Sequence, residues 1–349
     1  MTITVCLGKR PKLPGETMKL FRSFLALGLC ISGFNIQASP VELQKQFIDL
    51  MVDKHQFSRE VVESTLAKAT KNDAILQSIA KPWEAKPWHQ YYPIFLTEKR
   101  LTKGVTFWQT HQNTLARAQQ ETGVPAEIIV AIMGVETFYG TYQGKYSVLD
   151  ALVTLGFYYP PRARFFRSEL AQLFLLAKEE GFDITQLKGS YAGAMGWGQF
   201  ISSSYRHYAV DFDGDGVRDL LNNPQDAIGS VANYFKKHHW KANNDIAFKA
   251  QVSGNQYSAL LSKSLKYSHQ WSQLQDAGVS IAQPNLSQDK SVKLFEFEQA
   301  DNKEYWVGLP NFYVITRYNH SPLYAMAVFQ FSQQLKQGFK ATITANVNE

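Results

Sequence analysis

Glu136 is the residue in this chain best placed to do chemistry. It interrupts a long apolar run, Pro125-Ala-Glu-Ile-Ile-Val-Ala-Ile-Met-Gly-Val-Glu136-Thr-Phe-Tyr-Gly140, and no other charge occurs between Glu127 and Lys145. Pro125 suits a first helical position and Gly140 a helix end, which predicts one buried helix with Glu136 near its C-terminus. Desolvation and the negative end of the helix dipole both favour the protonated carboxyl there. A carboxylic acid that keeps its proton near neutral pH is what general-acid cleavage of a glycosidic bond requires. The plainer reading is a glutamate whose tip reaches water at a helix end.

Three further clusters carry chemical possibilities. Lys188-Gly-Ser-Tyr-Ala-Gly-Ala-Met-Gly-Trp-Gly-Gln-Phe200 lacks the spacing and lysine of a phosphate loop. Its glycines instead suit close approach of backbone to a ligand, with Ser190 and Gln199 free to hydrogen-bond hydroxyl or acetamido groups. Asp211-Phe-Asp213-Gly-Asp215-Gly216-Val217-Arg-Asp219 matches the first half of an EF-hand loop, with Gly216 at the sixth position and the Val217 carbonyl at the seventh. The twelfth position is Asn222 where a bidentate Glu is expected, and the next acid, Asp226, lies four residues on. Ca²⁺ in a structural role is the expectation, although Asp226 in a first helical turn is stabilising without metal. Tyr318-Asn319-His320-Ser321, with Tyr324 beyond, gathers polar groups at a turn. No Ser/His/Asp order, HExxH or Cys/His cluster argues for acyl transfer or zinc chemistry, and no organic cofactor is expected.

Helical periodicity over 41–80 and from Thr97 to Phe182 supplies most of the elements that must position these groups. Between them, the Pro- and aromatic-rich stretch Lys81 to Pro93 cannot be a regular helix. A short helix is expected around 226–240. Beyond Asn243, Ser291–Glu298 alternates as a half-buried strand does, and Tyr305–Val307 and Phe312–Thr316 read as further strands around a turn at Gly308–Asn311. A final helix runs from Pro322 to about Lys336. The fold class is mainly α (α+β).

The 349 residues carry 36 basic and 30 acidic side chains, a formal charge of +6. Much of that excess lies at the start. Met18-Lys-Leu-Phe-Arg22, the apolar stretch Phe24–Phe34 and Gln37-Ala38 form a basic region, a short apolar region and a small-residue cleavage point, the pattern of a leader peptide. Translation could start at Met1 or Met18. Removing 1–38 takes away Lys9, Arg10, Lys12, Lys19, Arg22 and Glu16, leaving a charge near +2 and no cysteine, since Cys6 and Cys30 both lie there. Charge therefore makes no case for nucleic acid. Export is expected, as a soluble form over a lipid-anchored one.

Together these motifs resemble the membrane-bound lytic murein transglycosylase B family of bacterial cell-wall enzymes, from about Lys86 to the C-terminal helix. The resemblance is carried by Gly134-Val-Glu136-Thr, Lys188 to Gly196, Gln199-Phe, Ala227-Ile-Gly-Ser-Val-Ala-Asn-Tyr234-Phe, Gly308-Leu-Pro-Asn-Phe and Thr316 to Ser321. It implies a lysozyme-like core (121–242) with the EF-hand-like loop at 211–226, a flanking helical domain (39–120, joined by the C-terminal helix 322–345) and a small antiparallel β domain (243–321). It also implies non-hydrolytic cleavage of the β-1,4 bond between N-acetylmuramic acid and N-acetylglucosamine, leaving 1,6-anhydro ends.

Glu136 would be the single acid/base, Ser190 would orient the acetamido group, and Gln199, Tyr234, Tyr318, Asn319 and Tyr324 would line the cleft. Asp211, Asp213, Asp215, Val217 and Asp226 would hold calcium. Where the family carries Pro-Arg-Arg this chain has Pro160-Pro161-Arg162, leaving Arg162 to meet substrate carboxylates. A periplasmic monomer, free or membrane-associated, is implied, with glycan strands and other cell-wall enzymes as partners. Two rivals remain at this level: a hydrolase using Glu136 with Asp150, which needs the carboxyls roughly 5–10 Å apart, and a non-catalytic glycan-binding protein.

Overall fold

The computed structural model describes residues 38–80, 86–282 and 285–347. The expected leader (1–38, apart from Ala38) and the Lys81–Ala85 part of the aromatic segment lie outside them. Fourteen α-helices follow in order. These are α1 (Pro40–Asp53), α2 (Arg59–Ala67), α3 (Asp73–Ile79), α4 (Trp88–Tyr91), α5 (Glu98–Thr110), α6 (Gln112–Thr122) and α7 (Ala126–Thr137). After them come α8 (Val148–Tyr158), α9 (Ala163–Glu180), α10 (Ser202–Tyr208), α11 (Pro224–Lys237), α12 (Trp271–Asp276), α13 (Pro310–Tyr318) and α14 (Pro322–Val347). Seven strands accompany them. Of these, β1 (Tyr146–Ser147) pairs antiparallel with β2 (Lys188–Gly189). The other five are β3 (Ala247–Val252), β4 (His269–Gln270), β5 (Val279–Ile281), β6 (Ser291–Glu298) and β7 (Lys303–Gly308), an antiparallel sheet in the order β4-β6-β7-β3-β5.

Every residue of α7 is buried, because α5, α6, α11 and α14 all pack against it. The sequence predicts Pro125 inside this helix and an end at Gly140. Instead Pro125 is the N-cap, and the helix stops at Thr137 because Phe138 and Tyr139 both turn left-handed, at φ 52° and 56°. Their amides satisfy the last carbonyls, Phe138 N–H donating to Gly134 O and Tyr139 N–H to Met133 O, both at 3.1 Å. Gly140 is needed for a different reason: a Cβ there would lie 2.7 Å from the Trp197 indole.

α14 crosses α7 and α5 and so brings the C-terminal end of the chain onto the helix that carries Glu136. Trp108 stacks on Phe339 with ring centroids 4.4 Å apart, and Lys336 Nζ meets Glu127 Oε1 at 2.7 Å. The helix reaches Val347, well past the expected Lys336.

Two expectations for the β region change. Phe312–Thr316 is helical, within α13, since Pro310 sits at its first turn and Phe312, Val314, Ile315 and Thr316 are all buried. A continuous apolar run does not distinguish helix from strand when both faces are covered. Strand β6 has the expected bounds but is not half-buried. Val292 and Leu294 face the sheet's own core with Trp271, Leu274 and Val307, whereas Phe295 and Phe297 join the main helical core. Lys293, on that second face, is buried and donates to Ser262 O at 3.2 Å and Ser262 Oγ at 3.0 Å.

Candidate active site

Glu136 sits in the last turn of α7 and is only 6% exposed. Burial pushes its carboxyl up to about 8, opposed by a hydrogen bond that Tyr324 Oη donates to Oε1 at 2.6 Å. Among the described residues no neighbouring carboxylate contributes to that shift. The acid is therefore protonated at neutral pH through desolvation. Tyr324 itself is fully buried at the start of α14, two residues after Pro322.

The other two tyrosines form a wall from two elements, α13 and α11. Tyr318, at the end of α13, lies parallel to Tyr324 at 6.5 Å and donates its hydroxyl to Gly198 O at 2.6 Å. Gly198 must be glycine there, because a Cβ would stand 2.8 Å from that hydroxyl. Tyr234 of α11 packs edge-on to Tyr318 at 4.8 Å and donates to Arg317 O at 2.5 Å. Asn319, 3% exposed, is the residue at which α13 ends before α14 begins. Glu136 and Tyr324 lie 188 positions apart in the sequence, and the start of α14 brings them into contact.

The glycine-rich segment meets these tyrosines at Gly198. Gln199 adopts φ 52° and spends its amide donor on Gln143 O and Gly196 O, each at 3.0 Å. Its Oε1 is buried and has no hydrogen-bond partner among the described residues. Ser190 Oγ accepts the amides of Ala192 at 3.2 Å and Ala194 at 3.0 Å, which leaves its proton to donate. Sequence reasoning passed over Thr137, although it follows Glu136 directly. Its hydroxyl donates to Trp197 O at 2.8 Å and accepts Gly140 N–H at 3.0 Å, tying α7 to this segment.

Arg162 lies over the rings of Phe165 and Phe166, 4.4 and 5.1 Å from their centroids, and burial raises the carboxyl of Glu169 above its usual range, an effect that the Ser203 hydrogen bonds and the charge of Arg162 oppose. Asp150, the second carboxyl a hydrolase would need, accepts the Thr70 amide at 2.8 Å and so ties the early helices to α8.

In the acidic loop, oxygens of Asp211, Asp213 and Asp226 all lie within 4.8 Å of one another. Asp226 is buried and accepts the amides of Phe212 at 2.6 Å and Asp219 at 2.8 Å, closing the loop onto α11. Asp215 is exposed and outside that convergent set; its Oδ1 accepts Val217 N–H at 2.8 Å. Three carboxylates this close suit a hard divalent cation.

Residues 41–333 match the transglycosylase SLT domain family. The chain belongs to that family. This transglycosylase is 46% identical over 299 residues to the membrane-bound lytic murein transglycosylase B of Escherichia coli K12, covering 83% of this chain and 81% of the relative. The E. coli lytic transglycosylase Slt35, solved in complex with calcium, superposes with a TM-score of 0.79 at 44% identity, covering 85% of this chain and 93% of that one. SltB3 from Pseudomonas aeruginosa, solved with NAG-NAM-pentapeptide, gives a TM-score of 0.76 at 27% identity, covering 86% of this chain and 80% of its own. The transglycosylase is thus a lytic enzyme of lysozyme-like architecture.

Proposed function

We propose that this lytic transglycosylase cleaves the β-1,4 MurNAc–GlcNAc bond of peptidoglycan, with Glu136 as its only acid/base. The carrying observation is a buried carboxyl held protonated at neutral pH, with a donor on one oxygen and, among the described residues, no carboxylate contributing to its shift. Tyr324 O–H occupies Oε1, so the acid's proton belongs on Oε2. Donation of that proton to the glycosidic oxygen lets the bond to the anomeric carbon break. The resulting carboxylate then takes the proton of the muramoyl C6 hydroxyl, whose oxygen closes on the anomeric carbon to give the 1,6-anhydro ring. No water is consumed, and the proton returns to Glu136.

Ser190, with its proton unspent, orients the acetamido carbonyl, and the unpartnered Oε1 of Gln199 accepts from a sugar hydroxyl or amide. The wall of Tyr234, Tyr318, Asn319 and Tyr324 holds the sugars against the acid. Arg162 is the proposed basic contact to substrate carboxylates. The peptide-bearing disaccharide seen on SltB3 supports a substrate that carries its stem peptides. Asp211, Asp213 and Asp226, with the Val217 carbonyl and Asp215 completing the loop, would hold calcium as a structural ion, a reading supported by the calcium complex of Slt35. An exported, periplasmic protein associated with the envelope fits the name of the E. coli relative, and no described helix is long and apolar enough to cross a membrane.

Mass spectrometry of muropeptides released from purified peptidoglycan tests this reading. Anhydro ends, one water lighter than hydrolytic fragments, are the expected result. Reducing ends would overturn it in favour of Glu136 working with Asp150. Absence of release by folded, calcium-supplied protein would favour a glycan-binding role.

A further inference from the structure

Three cations converge on the ring of Phe138, the residue that ends the catalytic helix. Lys103 Nζ lies 4.9 Å from the ring centroid, the Arg100 guanidinium 5.3 Å and Lys99 Nζ 5.9 Å. Among the described residues none of the three is paired with a carboxylate. Like charges held this close repel, and among the described residues they are offset by the ring face and by neutral carbonyl and hydroxyl acceptors, not by a carboxylate.

The three differ in what they are free to do. Arg100 is committed: its guanidinium donates to Ile94 O at 2.6 Å and Phe95 O at 2.7 Å. Lys103 spends two donors on Phe138 O, at 3.1 Å, and Thr141 Oγ1, and keeps a third. Lys99 is exposed, with all its donors open to solvent. The cluster therefore combines a rigid base and two available ammonium groups. It stands beside the reaction, because Phe138 follows Glu136 by two residues, about 7.6 Å at most along the backbone.

Given the peptidoglycan substrate proposed above, on which this step rests, we propose that Lys99 and Lys103, backed by Arg100, form an anion subsite for carboxylates of the stem peptide. A strand stripped of its peptides carries only the lactyl carboxylate of each MurNAc, whereas a stem peptide adds side-chain and terminal carboxylates that reach further from the glycan, so such a subsite would favour peptide-bearing strands over stripped ones. Arg100 sets the field and holds the Ile94–Phe95 turn; Lys103 holds the helix end and lends its remaining donor; Lys99 closes on the carboxylate from solvent.

The test measures binding of two soluble glycans of equal length, one with and one without stem peptides, to the Glu136→Gln protein. Lys99→Glu is added in a second protein, with Lys103→Arg, which keeps the charge, as a control. The peptide-bearing glycan should bind more tightly by roughly two- to five-fold per lysine, the range of exposed ion pairs, and this preference should shrink as salt rises. Lys99→Glu should abolish the preference while leaving affinity for the stripped glycan unchanged, and Lys103→Arg should retain it. Equal binding of the two glycans, or a preference that survives Lys99→Glu, overturns the subsite. Turnover of stripped strands by the unaltered enzyme reports separately on the transglycosylase reading, so failure of one is distinguishable from failure of the other.

Discussion

A carboxyl held protonated by burial links activity and stability to one titration. Glu136→Gln should lower the rate by at least the roughly 10²–10⁴-fold typical of general acid–base catalysis, read from release of anhydro muropeptides. It should also change how stability depends on pH. The folded carboxyl is raised from 4.5 to about 8, so between those values the native state keeps a proton that the unfolded chain has lost. Stability is then full below about pH 4.5 and declines toward pH 8, by on the order of a few kcal/mol. Thermal melts of the Gln variant should lack this decline; parallel pH curves for the two proteins would contradict it. Tyr324→Phe removes the one bond that favours the ionised form. The loss should shift the alkaline limb of the pH–rate profile to higher pH and reduce turnover, and an unmoved limb would separate Tyr324 from the acid. The burial of Glu136 was legible from its apolar neighbours alone. Tyr324 as its partner was not, because 188 residues intervene and only the α13–α14 corner closes that distance.

At the scale of elements, the close approach of α14 to α7 is what buries the acid. Gly134 makes room for it: a Cβ there would lie 2.5 Å from Tyr139 Oη and 2.8 Å from Phe331 Cε1. Gly134→Ala should therefore cost roughly 1–3 kcal/mol through overpacking, visible as a lower melting temperature, with activity reduced as Glu136 is displaced. A variant as stable as the parent would show that α14 can shift without cost. Helix α7 could be read in advance because its apolar run is too long for a typical strand and is bounded by Pro125 and Gly140, and the bounds of β6 because its residue types alternate. Phe312–Thr316 could not, since burial on all sides erases the period that separates helix from strand. The end of α7 also resisted reading: two non-glycine residues in the left-handed region carry no local signal and persist because the surrounding contacts over-determine them.

For the molecule as a whole, the acidic loop fastens α11 to the segment before it through Asp226, and α11 in turn carries Tyr234 to the site. Calcium binding at Asp211, Asp213 and Asp226 should consequently raise the melting temperature, by about 2.7 kcal/mol of stability when the ion is at a hundred times its Kd. Chelation should reverse the gain, and Asp226→Asn should blunt it. A melting temperature indifferent to calcium and chelator would remove the ion from this protein's stability. The sheet, with its own small core, joins the helical body through Phe295 and Phe297 of β6.

Local composition and spacing were enough to determine a buried carboxyl on α7, the glycine-rich segment, the acidic loop and a mainly helical chain, since each depends on residues close together in sequence. What encloses the acid was decided only in three dimensions. Tyr324 on Oε1, the Tyr318–Tyr234 wall, the unspent Gln199 oxygen and the cations around Phe138 all arise where distant helices meet, and packing between helices leaves no trace in the order of residues along any one of them.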